Sequence, residues 1–256
     1  MNTCTEFHVV IPARYASERL PGKALAEIAG RPMIEHVWRR ARDSGAADVV
    51  VATDSDRVLE ASRRFGAVAM LTREDHASGT DRIAEVSAER GWSDETIVVN
   101  LQGDEPLMPP ALIARAAEML AGSPAEIATL AVPIHDAETF HDPNVVKVVT
   151  DAAGDALYFS RAPIPWPREE ARTPARVRPH HALRHLGLYA YRAGALARLV
   201  AAAPVELELT ERLEQLRALY LGMRIRIDVV DEPPGPGVDT MADLERVRRI
   251  VEQGFG

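Results

Sequence analysis

Arg14, Arg19 and Lys23 crowd into the stretch VVIPARYASERLPGK (9–23), directly after the apolar run Val9-Val10-Ile11. Three cations around a bending Pro21-Gly22, at the end of a strand, make a cradle for phosphate oxygens, because side-chain charge and backbone N–H groups converge there. Lys23 and Lys147 are the only lysines in a chain that otherwise writes its basic positions as arginine. An ammonium is a compact point charge where a guanidinium is a planar fork, so a lysine kept in this loop fits a phosphate contact. Neither GxxxxGK[ST] nor GxGxxG occurs here, which removes the main support for an ATPase or a dinucleotide-binding dehydrogenase.

Two carboxylates supply the complement. Asp104 stands in QGDEP (102–106) after the apolar run 96–101, and Asp239 in GPGVDT (235–240) after RIRIDVV (224–230). Mg²⁺ takes a few carboxylates plus substrate phosphates, which suits strand-end aspartates facing a phosphate loop. Taken singly, each is also an ordinary turn or helix-cap residue. With the cationic loop they define one expectation, a metal-assisted reaction on a polyphosphate. HASGTDR (76–82) adds small residues past which a flat ligand such as a base can approach, with Arg82 in reach of its phosphates. Ser78 or Thr80 could equally cap a helix there. His185 and Tyr189, four apart, share a face if they lie on a strand. With Arg184, Glu211, Glu214 and Gln215 they are candidates for a polar pocket; packing and solvated surface are the competing accounts.

These residues need elements to hold them. Runs at 7–11, 48–53, 68–71, 96–101 and 128–132 read as strands, and Ile34, Val37, Trp38 and Ala41 have the spacing of one helix face, as do Val58, Ala61, Ser62 and Phe65. Ile83 and Val86 mark a third helix, and Pro109-Pro110 starts a fourth. Such alternation predicts an α/β fold with a mostly parallel sheet, whose ligands bind outside the carboxyl ends of the strands. After Pro133 the pattern turns β-rich: strands at 145–149 and 156–160 joined by a turn at 151–154, a Pro/Arg-rich loop at 163–179, and a strand within 181–192. Two helices to about Leu221, a strand at 224–230 and a terminal helix complete the chain. The expectation is one domain over 1–256 with a β-rich excursion at about 133–192.

Composition narrows the class. The 256 residues hold 30 basic and 38 acidic side chains, a formal charge of −8, against a general nucleic-acid binder. The single cysteine, Cys4, excludes an internal disulfide framework and fits a reducing compartment. No apolar run approaches the roughly 20 residues of a membrane span, and no signal peptide is expected. The expectation is a soluble, cytoplasmic protein.

The motifs in their order resemble one family. IPARYASERLPGK, the G-x-P-M-I segment at 30–34, VVATD (50–54), HASGTDR, VNLQGDEP (99–106), ATLAVPI (128–134), NVVKVV (144–149), ALYFSRAPIPW (156–166), LRHLGLYAYRAG (183–194), LEQLR (213–217) and GVDT (237–240) together look like the 3-deoxy-manno-octulosonate cytidylyltransferases, or CMP-Kdo synthetases. The resemblance runs nearly end to end. It implies a three-layer nucleotide-diphospho-sugar-transferase-like fold, a homodimer formed with the help of the β-rich excursion, and Mg²⁺ on Asp104 and Asp239. It implies CTP held by Arg14, Arg19 and Lys23, with Ser78 and Gln102 around the cytidine. The sugar acid Kdo is then expected beside Arg82, Arg161, His185, Tyr189, Glu214 and Gln215. The implied reaction transfers CMP from CTP to Kdo with release of pyrophosphate, activating Kdo for lipopolysaccharide synthesis. One departure is the run 205–210, where the family carries a more polar or histidine-containing stretch and this chain places Leu209. A CMP-sialate synthetase would use the same logic on another sugar acid, and a non-catalytic nucleotide or sugar binder would have no need of both aspartates.

Overall fold

The run Val9–Ile11 has no polar face, so it is stable only inside a sheet covered on both sides. In the computed structural model, which describes residues 5–16, 19–168 and 181–254, this run is the centre of β1 (His8–Ala13). Cys4 and residues 169–179 of the Pro/Arg-rich loop lie outside the described residues. After β1 come a 3₁₀ turn (Lys23–Leu25), β2 (Glu27–Ile28), β3 (Arg31–Pro32), α1 (Met33–Asp43), β4 (Asp48–Thr53), α2 (Asp56–Arg64) and β5 (Val68–Leu71). Then follow α3 (Gly79–Glu89), β6 (Ile97–Asn100), α4 (Pro110–Ala121), β7 (Ile127–Pro133), α5 (Ala137–His141), β8 (Lys147–Thr150) and β9 (Ala156–Ser160). The chain closes with β10 (Leu183–Arg192), α6 (Ala193–Ala201), α7 (Glu206–Glu211), α8 (Gln215–Tyr220), β11 (Ile225–Val229) and α9 (Met241–Glu252).

The main sheet runs β11-β7-β10-β6-β1-β4-β5, with β8 pairing β10 and β9 beside it. All strands of that path are parallel except β10, which runs against β6 and β7. Helices cover both faces, giving the three-layer α/β arrangement. Side chains of α1, α2 and α4 close one core with Val9, Ile11, Val51 and Val99. Those of α3, α6 and α8 close the other with Val10, Val50, Val98 and Ile225. Alternate residues of each strand thus feed opposite cores, as the two-residue period of a strand requires.

Three local features depart from the sequence expectation. Three helices rather than two lie between β10 and β11, because Arg212 takes a left-handed φ of 52° and stops α7. The hairpin β2–β3 is closed by two residues with positive φ, Ala29 at 47° and Gly30 at 75°, the arrangement that matches strand twist in a two-residue turn. The short α5, five residues long, is too brief to show a helical period in the sequence. A bulge between Leu186 and Tyr189 inserts two residues into β10 opposite β7, so the parity that puts His185 and Tyr189 on one face survives.

Candidate active site

The carboxyl ends of β1 and β6 form the floor of a cleft of about 1000 Å³. Arg14, Arg19 and Lys23 line it from the loop after β1, Gln102, Gly103 and Asp104 from the turn after β6, and Asp239 from the loop before α9. The two strand ends approach closely because residue 103 is a glycine: a β-carbon there would lie 2.7 Å from the Pro12 carbonyl oxygen. A backbone bond from Val238 N–H to the Asp104 carbonyl, 2.8 Å, brings the loop 235–240 against QGDEP. Asp239 is not the cap of α9. Thr240 holds that role, its hydroxyl accepting from Asp243 N–H while the Asp243 carboxylate takes the Thr240 N–H. The Asp239 side chain is left to face the cleft.

Lys23 sits between the two aspartates, its Nζ 2.5 Å from Asp104 Oδ2 and 3.2 Å from Asp239 Oδ1, and Arg19 Nη2 is 3.0 Å from the same Asp239 oxygen. Burial opposes the charge on Lys23, but attraction and hydrogen bonds from Asp104 and Asp239 outweigh it and raise its pKa above the ordinary lysine value. A third carboxyl lies beneath. Glu105 is pushed up to about 7, first by burial and then by the negative charge of Asp104 and Asp239, and its Oε2 is buried without a hydrogen-bond partner. Both aspartates reach one cation, which is the property a hard divalent ion needs. Among the described residues no cluster of three or more His, Cys, Asp or Glu side chains is arranged to hold a metal. An ion here would therefore depend on substrate oxygens to complete its shell, as Mg²⁺ commonly does.

A second cavity of about 100 Å³ adjoins the first, with Gln102 bordering both. Tyr189, Glu214 and Gln215 line it, together with Thr80 and Tyr191. Glu214 accepts from Ser78 Oγ at 3.1 Å and from Thr80 Oγ1 at 2.6 Å, while burial holds its pKa above the usual carboxylate range. The Tyr189 hydroxyl is buried without a partner, and burial raises its pKa well above the ordinary phenol value. His185 packs edge-on against Phe159 and touches Tyr189. Thr129 Oγ1 lies 2.7 and 2.9 Å from the carbonyls of Leu188 and Leu186, so its single proton is spent on one of them. His185 therefore donates its Nε2–H to Thr129 across 3.0 Å and is the Nε2-protonated neutral tautomer. Burial lowers its pKa to about 3.

Of the remaining expected site residues, Ser78 is the N-cap of α3, in a capping box with Asp81, and its hydroxyl also reaches Glu214. Its neighbour Gly79 lines the larger cleft. Arg161 is engaged by backbone carbonyls, donating to Glu211 O at 2.7 Å and Pro143 O at 2.9 Å. Arg82 is not brought to either cavity: it is fully buried and bonds Asp54, Thr72 and the Arg73 carbonyl. Sequence reasoning missed Glu105, Tyr15 and Asp54. Asp54 carries the same signature as Asp104, an aspartate just beyond an apolar strand, and VVATD could have been read that way.

The profile of the cytidylyltransferase family matches residues 8–225. A 3-deoxy-manno-octulosonate cytidylyltransferase from Pseudomonas fluorescens is 57% identical over 249 residues, covering 96% of this chain and 98% of the relative. A protein of the same name from Serratia proteamaculans is 55% identical over 246 residues, 96% of this chain and 99% of its own length. Among solved structures, a CMP:2-keto-3-deoxy-manno-octonic acid synthetase complexed with CTP superposes with a TM-score of 0.88 at 45% identity, over 97% of this chain and 99% of that one. A 4-diphosphocytidyl-2C-methyl-D-erythritol synthase shares the fold at TM-score 0.64 and 18% identity, over 96% and 98% of the two chains.

Proposed function

This chain belongs to the cytidylyltransferase family, and we propose that within it the protein transfers CMP from CTP to 3-deoxy-D-manno-octulosonate (Kdo), giving CMP-Kdo and pyrophosphate. The observation that carries the reading is a single cleft with Lys23 between Asp104 and Asp239, in a chain matched end to end by relatives of that name. A CMP-sialate synthetase is not favoured, since the relatives that cover this chain are named for Kdo.

The chemistry follows from charge. A hydroxyl of Kdo attacks the α-phosphorus of CTP and gives up its proton to solvent; the new P–O bond forms as the bond to the β-phosphate oxygen breaks, and pyrophosphate leaves with the electron pair. An anionic sugar acid must approach a polyanion, so the cations of the loop have to offset that repulsion and the charge growing on the leaving group. We assign that task to Arg14, Arg19 and Lys23, which line the cleft. Gln102 and Gly79 border the side where the base would lie, and the smaller cavity with Glu214, Gln215 and Tyr189 adjoins it for the sugar acid. Orientation of the two substrates in adjoining cavities supplies much of the rate. His185, neutral down to about pH 3, is too weak a base to take the hydroxyl proton near neutrality and serves as a neutral hydrogen-bonding and packing group. Asp104 and Asp239 would hold Mg²⁺, which when bound supplies charge neutralisation at phosphate and sugar carboxylate and acidifies the attacking hydroxyl.

A homodimer is part of the reading. Leu157 on β9, Leu207 and Leu209 on α7 and Tyr220 on α8 support it, being exposed apolar side chains on elements of which α8 contacts both of the others. No described helix is long and apolar enough to cross a membrane. Reaction in the cytoplasm, with the product directed to lipopolysaccharide, completes the proposal. The test is pyrophosphate release with CTP and Mg²⁺, comparing Kdo, a sialic acid and no sugar. Release with Kdo alone is expected. Release with the sialic acid alone would overturn the acceptor, and silence with all three would favour a non-catalytic binder.

A further inference from the structure

Arg82 carries a charge for which the reaction has shown no use. It lies on the sheet-facing side of α3 and is fully buried. Its guanidinium donates to Asp54 Oδ2 at 2.8 Å, to Thr72 Oγ1, and to the Arg73 carbonyl at 3.2 Å. Asp54 stands just beyond β4, and its other oxygen, Oδ1, accepts the Tyr15 N–H at 3.1 Å. Burying an ion pair is costly in hydration and is weak grounds for stability, so what such a pair can return is a fixed geometry.

The geometry in question is that of the phosphate loop. Tyr15 is gripped at three points: its N–H by Asp54, its carbonyl by the Gly22 N–H at 3.2 Å, and its hydroxyl by Arg57 Nη1 at 2.9 Å. The Gly22 bond closes the loop on itself. Gly22 holds a left-handed φ of 69°, and a β-carbon there would touch the Tyr15 ring at 3.6 Å. Arg14 directly precedes Tyr15, and Lys23 directly follows Gly22. One residue therefore spaces the two cations at either end of the loop, and Asp54 anchors that residue to the body of the fold.

We propose that Asp54 and Arg82 are positioning residues for CTP: the buried pair fixes the Tyr15 amide, and through the Tyr15–Gly22 contact it sets Arg14 and Lys23 at the spacing a triphosphate needs. The assignment rests on the CTP reading of the cleft. It places Arg82 on the nucleotide half of the reaction, away from the sugar acid, and it ties the α3 segment that carries Gly79 to the loop that carries Lys23.

Asp54→Asn is the sharpest probe, because an amide offers one acceptor oxygen and can satisfy Tyr15 or Arg82 but not both. Wild-type turnover of CTP and Kdo is established first; its absence would remove the CTP premise and this assignment with it. KM for CTP and KM for Kdo are then measured separately for Asp54→Asn and for Arg82→Lys, with melting temperature recorded for each. Loss of a charged hydrogen bond at the loop should raise the KM for CTP about tenfold in Asp54→Asn, leaving the KM for Kdo within about twofold. Arg82→Lys keeps the charge and loses the fork, so a smaller rise with the same split is expected, and this variant decides the matter should Asp54→Asn fail to fold. A rise in the KM for Kdo with that for CTP unchanged would return Arg82 to the sugar acid. Both constants unchanged, or both raised alike, would also overturn the assignment.

Discussion

His185 titrates far below an ordinary histidine, and this has a measurable consequence for stability. Its pKa falls from 6.5 to about 3 through burial. An unfolded chain, whose histidine keeps the ordinary value, binds the proton more readily than the folded one. The contribution is therefore fully present above pH 6.5 and is lost progressively as the pH falls toward 3. At pH 5.5 the unfolded histidine is about nine-tenths protonated while His185 is not, and linkage gives a loss of about 1.4 kcal/mol, against less than ~0.1 kcal/mol at pH 7.5. His185→Gln keeps an N–H donor for Thr129 and removes the titration. Urea unfolding of both proteins at pH 7.5 and 5.5 should show the wild type losing about 1.3 kcal/mol more than the variant between the two conditions. All other titrating groups are common to the two chains and cancel in the difference. Equal losses in wild type and variant would refute the neutral, buried ring. They would also reopen His185 as a cation or a base at the sugar acid.

Three further perturbations test the site and its support. Asp104→Asn and Asp239→Asn should each reduce pyrophosphate release by about a hundredfold or more while the far-ultraviolet dichroism stays unchanged; rates within about tenfold of wild type in both variants would sink the metal assignment. Gly103→Ala puts a β-carbon 2.7 Å from the Pro12 carbonyl. Overpacking of about 1–3 kcal/mol and a displaced Asp104 should lower both melting temperature and turnover, and an unchanged pair of values would show that the strand ends can spread freely. Lys147 is fully buried, with Nζ at 2.9, 2.6 and 2.6 Å from the carbonyls of Asp142, Val145 and Arg161. Lys147→Met leaves those acceptors without their donor and should cost about 3 kcal/mol in denaturant unfolding; a cost below about 1 kcal/mol would mean the carbonyls find other partners.

The order of strands and helices was legible because periodicity and strand-end chemistry are local properties. Asp104 and the cationic loop could be placed together before any coordinates, since parallel strands deliver their carboxyl ends to one edge. Depth was harder to read. Arg82 in HASGTDR looks like a ligand-facing cation, yet it precedes Val86 by four residues and adjoins Ile83, so it lies on the buried stripe of α3. Its enclosure depends on Asp54 and Thr72, which come from after β4 and β5, and no window on the helix contains them. Glu105 was hidden for the same reason. Its neighbour Asp104 points to the cleft while Glu105 lies against Gly237, whose added β-carbon would come within 2.9 Å of Glu105 Oε1. The extra helix between β10 and β11 turned on one left-handed residue, Arg212, and arginine gives no warning of a positive φ.

The capping pattern was also in the sequence, and it bears on why the loop needs three cations. Ser78-x-x-Asp81 and Thr240-x-x-Asp243 have the spacing of capping boxes, and both boxes form. That assigns the cap of α9 to Thr240 and releases Asp239, a step the pattern alone would have allowed. It also means that the two helix N-termini nearest the cleft already have their own anions. Asp81 takes the Ser78 N–H, while Asp243 takes the N–H groups of Asp239 and Thr240. A helix start can hold a phosphate by itself, but each of these two already carries a carboxylate in its first turn, which opposes a second anion there. The charge of a triphosphate would therefore fall chiefly on side chains. Lys23 has to carry its share while lying 2.5 Å from one aspartate and 3.2 Å from another. Arg19 is committed in part to Asp239 as well, at 3.0 Å. On the proposed reading, Asp104 and Asp239 partly neutralise Lys23 and Arg19, and Arg14, exposed where it lines the cleft, would supply the further cation that favours the nucleotide.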